Sequence, residues 1–138
     1  MKNILFLGLG SIGQRHLRNL KKLKSNLSFY AIRRKKNSPL LDNNNNIIKK
    51  KFILNENNVK KINFNQIKKY KIDTAFITNP SSKHLRSAIK LGKLGCNLFI
   101  EKPLSHNMNN ISILKEIIKK KKILCAVGYQ TRYDDLLI

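Results

Sequence analysis

Acidic residues are scarce in this chain: 7 Asp and Glu stand against 29 Lys and Arg in 138 residues, a formal net charge of +22. Cysteine is rarer still. Only Cys96 and Cys125 are present, too few and too far apart for a metal knuckle or a disulfide framework. Both read as reduced thiols at strand starts. Long apolar runs are missing as well. No stretch approaches the roughly 20 residues that cross a bilayer, and the apolar start is too soon broken by glycine to be a signal peptide. A soluble, cytoplasmic protein with no membrane partner is the expectation. The length allows one sizeable core and not two full domains.

The positive excess bears on partners. A charge of this size could mark a nucleic-acid surface, but the lysines are spread along the chain, as in Lys21-Lys22, Lys49-Lys50-Lys51 and Lys119 to Lys122. Asparagine and isoleucine are also heavily used, as in Asn43 to Asn46, which is the joint bias of an AT-rich coding sequence. Solvated lysine faces, with no specific nucleic-acid partner, are therefore expected. A basic nucleic-acid-binding protein is the third reading of the chain and predicts steeply salt-dependent binding. The potential does favour a phosphate-bearing ligand.

What the chain has in plenty is order in its first residues. Ile4 to Leu7 is an apolar run that breaks into Gly8-x-Gly10-x-x-Gly13 before a helix-like segment. Gly8 allows a tight turn out of a buried strand, Gly10 lets the backbone approach a pyrophosphate, and Gly13 lets the helix pack on the sheet. Ser11 and Ile12 complete the loop, and the helix N-terminus offers unpaired N–H groups to phosphate. The fingerprint predicts dinucleotide binding.

The rest alternates strand and helix. The patterning predicts strands over 3–8, 26–33, 59–63, 73–78, 97–100 and 123–128, and helices over 12–24, 65–70 and 107–121, with another after Ser81-Ser82 that carries Leu85, Ala88, Ile89 and Gly92 on one face and stops at Gly95. In the first helix Ile12, Leu17, Leu20 and Leu23 are the expected buried stripe. Residues 33–58 read as a surface loop with one uncertain element, since polar low-complexity tracts seldom carry a core. This order implies an α/β fold: a Rossmann-type, doubly wound parallel sheet with helices on both faces.

Three places carry chemistry. A second strand in such a fold ends at the adenosine ribose, where an acid favours NAD; here stand Arg33 and Arg34, whose guanidinium groups suit a 2′-phosphate and favour NADP, with NAD still open. Thr78-Asn79-Pro80 ends the fourth strand, on the edge where ligands bind, and is also an ordinary strand-to-helix turn. Glu101-Lys102-Pro103 ends the fifth, where Lys102 could hydrogen-bond a substrate hydroxyl or carbonyl beside the nicotinamide.

Gly8 to His16, Thr78 to His84, Gly95 to Leu104 and Val127 to Tyr133 together resemble, in order and spacing, the amino-terminal half of the glucose–fructose oxidoreductase/inositol dehydrogenase (Gfo/Idh/MocA) family. The resemblance covers nearly the whole chain, and its most specific motif is the Glu-Lys-Pro turn. It implies an NAD(P)-dependent oxidoreductase that moves hydride between the nicotinamide and a carbinol carbon of a sugar, cyclitol or related compound. By position it sets Glu101 and Lys102 at the nicotinamide ribose and the reacting hydroxyl, with Lys102 catalytic, and Asn79, Pro80 and His84 along the cofactor cleft. His84 and His16 read as turn, packing or surface residues before they read as acid or base. Gln130 stands where many relatives have asparagine. The loop, the double arginine and the Gly-Tyr-Gln-Thr-Arg-Tyr ending look most like members from bacterial surface-sugar pathways. The family's second α/β domain supplies most of the substrate pocket, so residues 1–128 read as the dinucleotide-binding domain and 129–138 as the start of a crossover. The expectation is a truncated or split enzyme that takes its sugar-like substrate only with the missing domain, supplied for instance by a partner subunit. A noncatalytic dinucleotide-binding or interaction module is the alternative.

Overall fold

The computed structural model describes residues 2–23, 26–33, 38–44 and 46–129. Its first unit is β1 (Lys2–Leu7), α1 (Ser11–Leu23) and β2 (Leu27–Ile32), followed by a small antiparallel pair, β3 (Leu40–Leu41) and β4 (Ile47–Lys49). Then come β5 (Val59–Lys61), β6 (Thr74–Ile77), α2 (His84–Lys93), β7 (Asn97–Glu101), α3 (Ile111–Lys121) and β8 (Cys125–Gly128). Six strands form one sheet in the order β5-β2-β1-β6-β7-β8, every pairing parallel. Sequence order therefore reverses direction at β1, which is the switch point of a doubly wound sheet.

Alternation along β1 explains why both faces are covered. Ile4 and Phe6 point to one side, into a core shared with Leu17 of α1, Phe29 and Val59. Leu5 and Leu7 point to the other, into a larger core with Leu85, Ala88 and Leu91 of α2 and Leu114 of α3. A strand buried on both faces reads as a continuous apolar run, and Ile4 to Leu7 is one.

Four expectations change. Ile12 is only half-buried and Leu23 is 75% exposed, because they lie five and six positions from Leu17 and so well round the helix from it. The inner face of α1 is instead Gly13, Gln14 and Leu17. The segment after Arg33 does carry core: Leu41 and Phe52 are buried. The helix expected over 65–70 is a single 3₁₀ turn at Phe64–Gln66, six residues being too few to sustain an α-helix. Likewise α3 starts at Ile111 and not at Asn107. Before it, Ser105 and Asn107 accept backbone N–H groups with their own side chains, a local competition with helix. Among the described residues no helix is long and apolar enough to cross a membrane.

Candidate functional site

Parallel register decides what meets at the sheet edge. Leu7 of β1 pairs with Ile32 of β2 and Ile77 of β6, and Ile77 pairs with Ile100 of β7. The next residues, Gly8, Arg33, Thr78 and Glu101, therefore leave the carboxyl edge side by side. Positions spread over more than 90 residues of sequence become one crevice.

Its floor is the glycine loop. Gly8 has φ +103°, and a Cβ there would stand 2.9 Å from the Thr78 carbonyl oxygen. A Cβ at Gly13 would stand 2.6 Å from the Gly8 carbonyl oxygen and 2.9 Å from Thr78 Oγ1. Both glycines are thus required by close packing against the end of β6, and Thr78 Oγ1 donates to the Gly8 carbonyl at 2.7 Å. Gly10 is different: a Cβ there meets nothing within 4 Å. Gly10 and Ser11 are exposed at the N-terminus of α1, where the first-turn N–H groups have no helical acceptor. That combination is an open, positively polarised helix start of the kind that accepts a phosphate.

Two polar side chains at this edge are left with buried atoms unpaired. Asn79 Nδ2 donates to Ser87 Oγ at 3.0 Å, while its Oδ1 has no partner among the described residues. Arg33 lies over the Phe52 ring, its guanidinium carbon 5.5 Å from the centroid, and donates from Nη1 to the Phe52 carbonyl at 3.1 Å. Its Nε and Nη2 are buried without acceptors among the described residues. Burial lowers the pKa of this guanidinium, and an anion beside it would offset that. Arg34, the other half of the expected pair, lies outside the described residues, as does Gln130.

Glu101, Lys102 and Pro103 are held from the α1 side by a contact that spacing alone does not reveal. The Glu101 carboxylate is buried and its Oε1 lies 2.5 Å from His16 Nε2. The His16 ring leans edge-on to Phe99, centroids 5.0 Å apart, and Phe99 stacks on Phe76. Glu101 Oε2 accepts the backbone N–H of Lys102 at 3.3 Å. Lys102 itself is exposed, and so is Pro80. His84, by contrast, is 2% exposed, with both ring nitrogens against backbone carbonyls.

Sequence reasoning also missed Gln14. It is 1% exposed; its Nε2 donates to the carbonyls of Leu9 and Pro39, and its Oε1 accepts from the Leu41 N–H at 3.0 Å. One amide thereby fastens the segment after β2 to the glycine-loop helix. A polar residue three positions before Leu17 is the only sequence signal for it.

Comparisons with known proteins agree with this geometry. A family profile described as an oxidoreductase family with an NAD-binding Rossmann fold, Gfo/Idh/MocA, matches residues 2–129. The chain is similar to the myo-inositol 2-dehydrogenase of Thermotoga maritima, 27% identical over 93% of this chain and 36% of that protein. A shorter match, 33% identical over 46% of this chain and 18% of the relative, is to the scyllo-inositol 2-dehydrogenase (NAD(+)) of Bacillus subtilis. Among solved structures, myo-inositol 2-dehydrogenase from Lactobacillus plantarum superimposes with a TM-score of 0.72 at 27% identity, covering 97% of this chain and 38% of that one. Scyllo-inositol dehydrogenase from Lactobacillus casei, with bound NAD(H) and scyllo-inositol, gives 0.71 at 22% identity, a likeness of fold. The chain spans less than two fifths of the length of these relatives. With the glycine cradle, the reversed strand order and the Glu-Lys-Pro edge in register, the chain belongs to the Gfo/Idh/MocA oxidoreductase family through its NAD-binding Rossmann fold.

Proposed function

We propose that this chain seats a nicotinamide dinucleotide across its carboxyl edge and serves, with a second domain, an oxidoreductase acting on a carbinol of a cyclitol or sugar. The observation that carries the reading is the contrast between Gly10, where a side chain would find open space, and Gly8 and Gly13, where it would strike backbone. The N–H groups of Ser11, Ile12 and Gly13, beside the open face of Gly10, would hold the ligand's pyrophosphate. The free Oδ1 of Asn79 accepts a ribose hydroxyl or carboxamide N–H. Thr78 shapes the loop, and Pro80 borders the cleft.

When bound, the nicotinamide supplies the hydride chemistry. Lys102 is the residue we assign to the reacting oxygen: it is exposed at the end of β7, and its ammonium can donate to that oxygen and hold or release a proton at Nζ. Glu101 serves as its anchor. Substrate positioning requires groups from a second domain, because hydride transfer needs donor and acceptor in near-attack geometry. Such a function belongs to the cytoplasm.

Arg33 favours NADP. Two buried guanidinium nitrogens without acceptors suit a 2′-phosphate, and a charge-assisted pair there favours that ligand by about tenfold or more. Calorimetric titration of the full chain with NADPH and NADH tests both levels of the reading. The expected result is binding of both, tighter for NADPH, with the preference lost in Arg33→Ala. Absence of binding by either dinucleotide refutes the function; equal binding refutes only the preference.

A further inference from the structure

The contacts of Arg33 spare one particular edge of its guanidinium. Nη1 donates to the Phe52 carbonyl at 3.1 Å, and the guanidinium carbon stands over the Phe52 ring, 5.5 Å from its centroid. The nitrogens left without acceptors among the described residues are Nε and Nη2. Those two share one side of the planar group, the edge from which two parallel N–H bonds reach two oxygens of one phosphate. No carboxylate among the described residues pairs with that edge.

The seat is itself tied to the glycine loop. Phe52 is buried, and its N–H donates to the Ser38 carbonyl at 2.6 Å. Next to Ser38, the Pro39 carbonyl accepts from Gln14 Nε2 at 2.8 Å, and the same nitrogen donates at 3.2 Å to the carbonyl of Leu9, between Gly8 and Gly10. Gln14 Oε1 takes the Leu41 N–H, so one amide grips the segment at two points. A run of contacts thus leads from Arg33 through Phe52, Ser38-Pro39 and Gln14 to the loop.

We propose that Gln14 and Phe52 are positioning residues for the choice of dinucleotide: they hold Arg33 by Nη1 and one face, so that its Nε and Nη2 edge takes the 2′-phosphate of a ligand whose pyrophosphate lies on the glycine loop. The inference rests on the reading of Arg33 as the residue that favours NADP. An arginine swinging on its own stem must order several rotatable bonds to make the same two contacts. A seated one has less to order, so more of each contact appears as affinity. Lysine cannot take its place, because an ammonium is a point donor with no planar face to seat and no paired edge.

Calorimetric titration of the full chain with NADPH and with NADH gives the ratio of the two affinities, in which any loss common to both ligands cancels. The ratio should favour NADPH by about tenfold in the parent. It should fall by roughly three- to tenfold in Gln14→Leu, in Phe52→Leu and in Arg33→Lys. Leu114→Ala, which opens the core on the other side of the sheet, lowers stability and should leave the ratio unchanged. Proton–nitrogen NMR of the ¹⁵N-labelled parent reads the edge directly: the Arg33 Nε–H signal should shift strongly on adding NADPH and far less on adding NADH. A signal that NADPH leaves unmoved overturns the inference, and this result does not depend on how any variant folds. So does a ratio that survives both Gln14→Leu and Phe52→Leu, or one that Leu114→Ala also erases. Equal binding of the two dinucleotides by the parent overturns the NADP preference and the seat with it, whereas binding of neither overturns the proposed function on which both rest.

Discussion

Gly13→Ala places a methyl group 2.6 Å from the carbonyl oxygen of Gly8 and 2.9 Å from Thr78 Oγ1. The first is backbone in a turn already committed to φ +103°, so it yields only if the β1–α1 connection moves. Overpacking of this kind costs about 1–3 kcal/mol. Pushing Thr78 aside also removes its 2.7 Å bond to Gly8, worth about 1 kcal/mol net. Alanine's helix preference offsets up to ~1 kcal/mol, so the variant should lose about 1–3 kcal/mol. With a urea slope of about 2 kcal/mol/M for a small domain, the unfolding midpoint should fall by roughly 0.5–1.5 M.

Gly10→Ala is the matched control, because it adds the same methyl group to the same loop and meets nothing within 4 Å. Its unfolding free energy should stay within about 0.5 kcal/mol of the parent, a midpoint change of no more than about 0.3 M, while its dinucleotide affinity drops by about tenfold as the methyl occupies the phosphate's place. Urea denaturation followed by circular dichroism, with calorimetric titration of NADPH, separates the two variants. An unchanged midpoint in Gly13→Ala would refute the packing argument. Undiminished binding in Gly10→Ala would refute the placement of the pyrophosphate.

Other outcomes follow from single contacts. Gln14→Leu leaves the Leu41 N–H and the Pro39 carbonyl without their partner, a loss of about 1–3 kcal/mol for each group left unpaired and buried; faster hydrogen exchange at the Leu41 amide is the specific signal. His16→Leu keeps the packing on Phe99 but deprives buried Glu101 of its 2.5 Å partner. We expect a lower urea midpoint and a change in the Lys102 amide shift, and neither if the pair is incidental. Burial, and next the Asp73 charge, pushes the Cys96 thiol from 9.0 up to about 11. A raised value in the folded state means that its stabilising contribution is full below pH 9 and is lost as pH rises through 11. The loss amounts to about 2–3 kcal/mol, so stability should fall more steeply over that window in the parent than in Cys96→Ala.

How far the sequence predicts these features depends on how local each one is. The glycine fingerprint, the strand Thr74–Ile77, α2 with its Gly95 stop at φ +86°, and the Glu-Lys-Pro edge are written in consecutive residues. Periodicity finds them because apolar spacing and turn residues are set by the nearest few positions. Gln14 and His16 resist such reading. Apart from the Leu9 carbonyl, the partners of Gln14 are 25 and 27 residues away in the segment after β2, and that of His16 is 85 residues away, where the register of β1, β6 and β7 brings it. The segment that carries β3 and β4 resists for another reason: its buried apolar residues, Leu41 and Phe52, are embedded among asparagines and lysines that dilute any period.

The nonlocal contacts are also the ones that prepare the site. Thr78 to Gly8 and Glu101 to His16 both cross from the β1–α1 unit to the β6–β7 unit, over the crevice where the order of strands reverses. Both are contacts between the protein's own groups, so the glycine loop and the Glu101-Lys102 turn are braced by the chain's packing. Bracing of this kind lowers the ordering cost that otherwise subtracts from affinity. The polar atoms without partners among the described residues, Oδ1 of Asn79 and Nε and Nη2 of Arg33, follow strand ends that flank this braced floor. A fold this short tolerates buried unpaired donors and acceptors only at a cost in stability. On the proposed function, their place at the carboxyl edge is where a bound ligand would supply the missing partners.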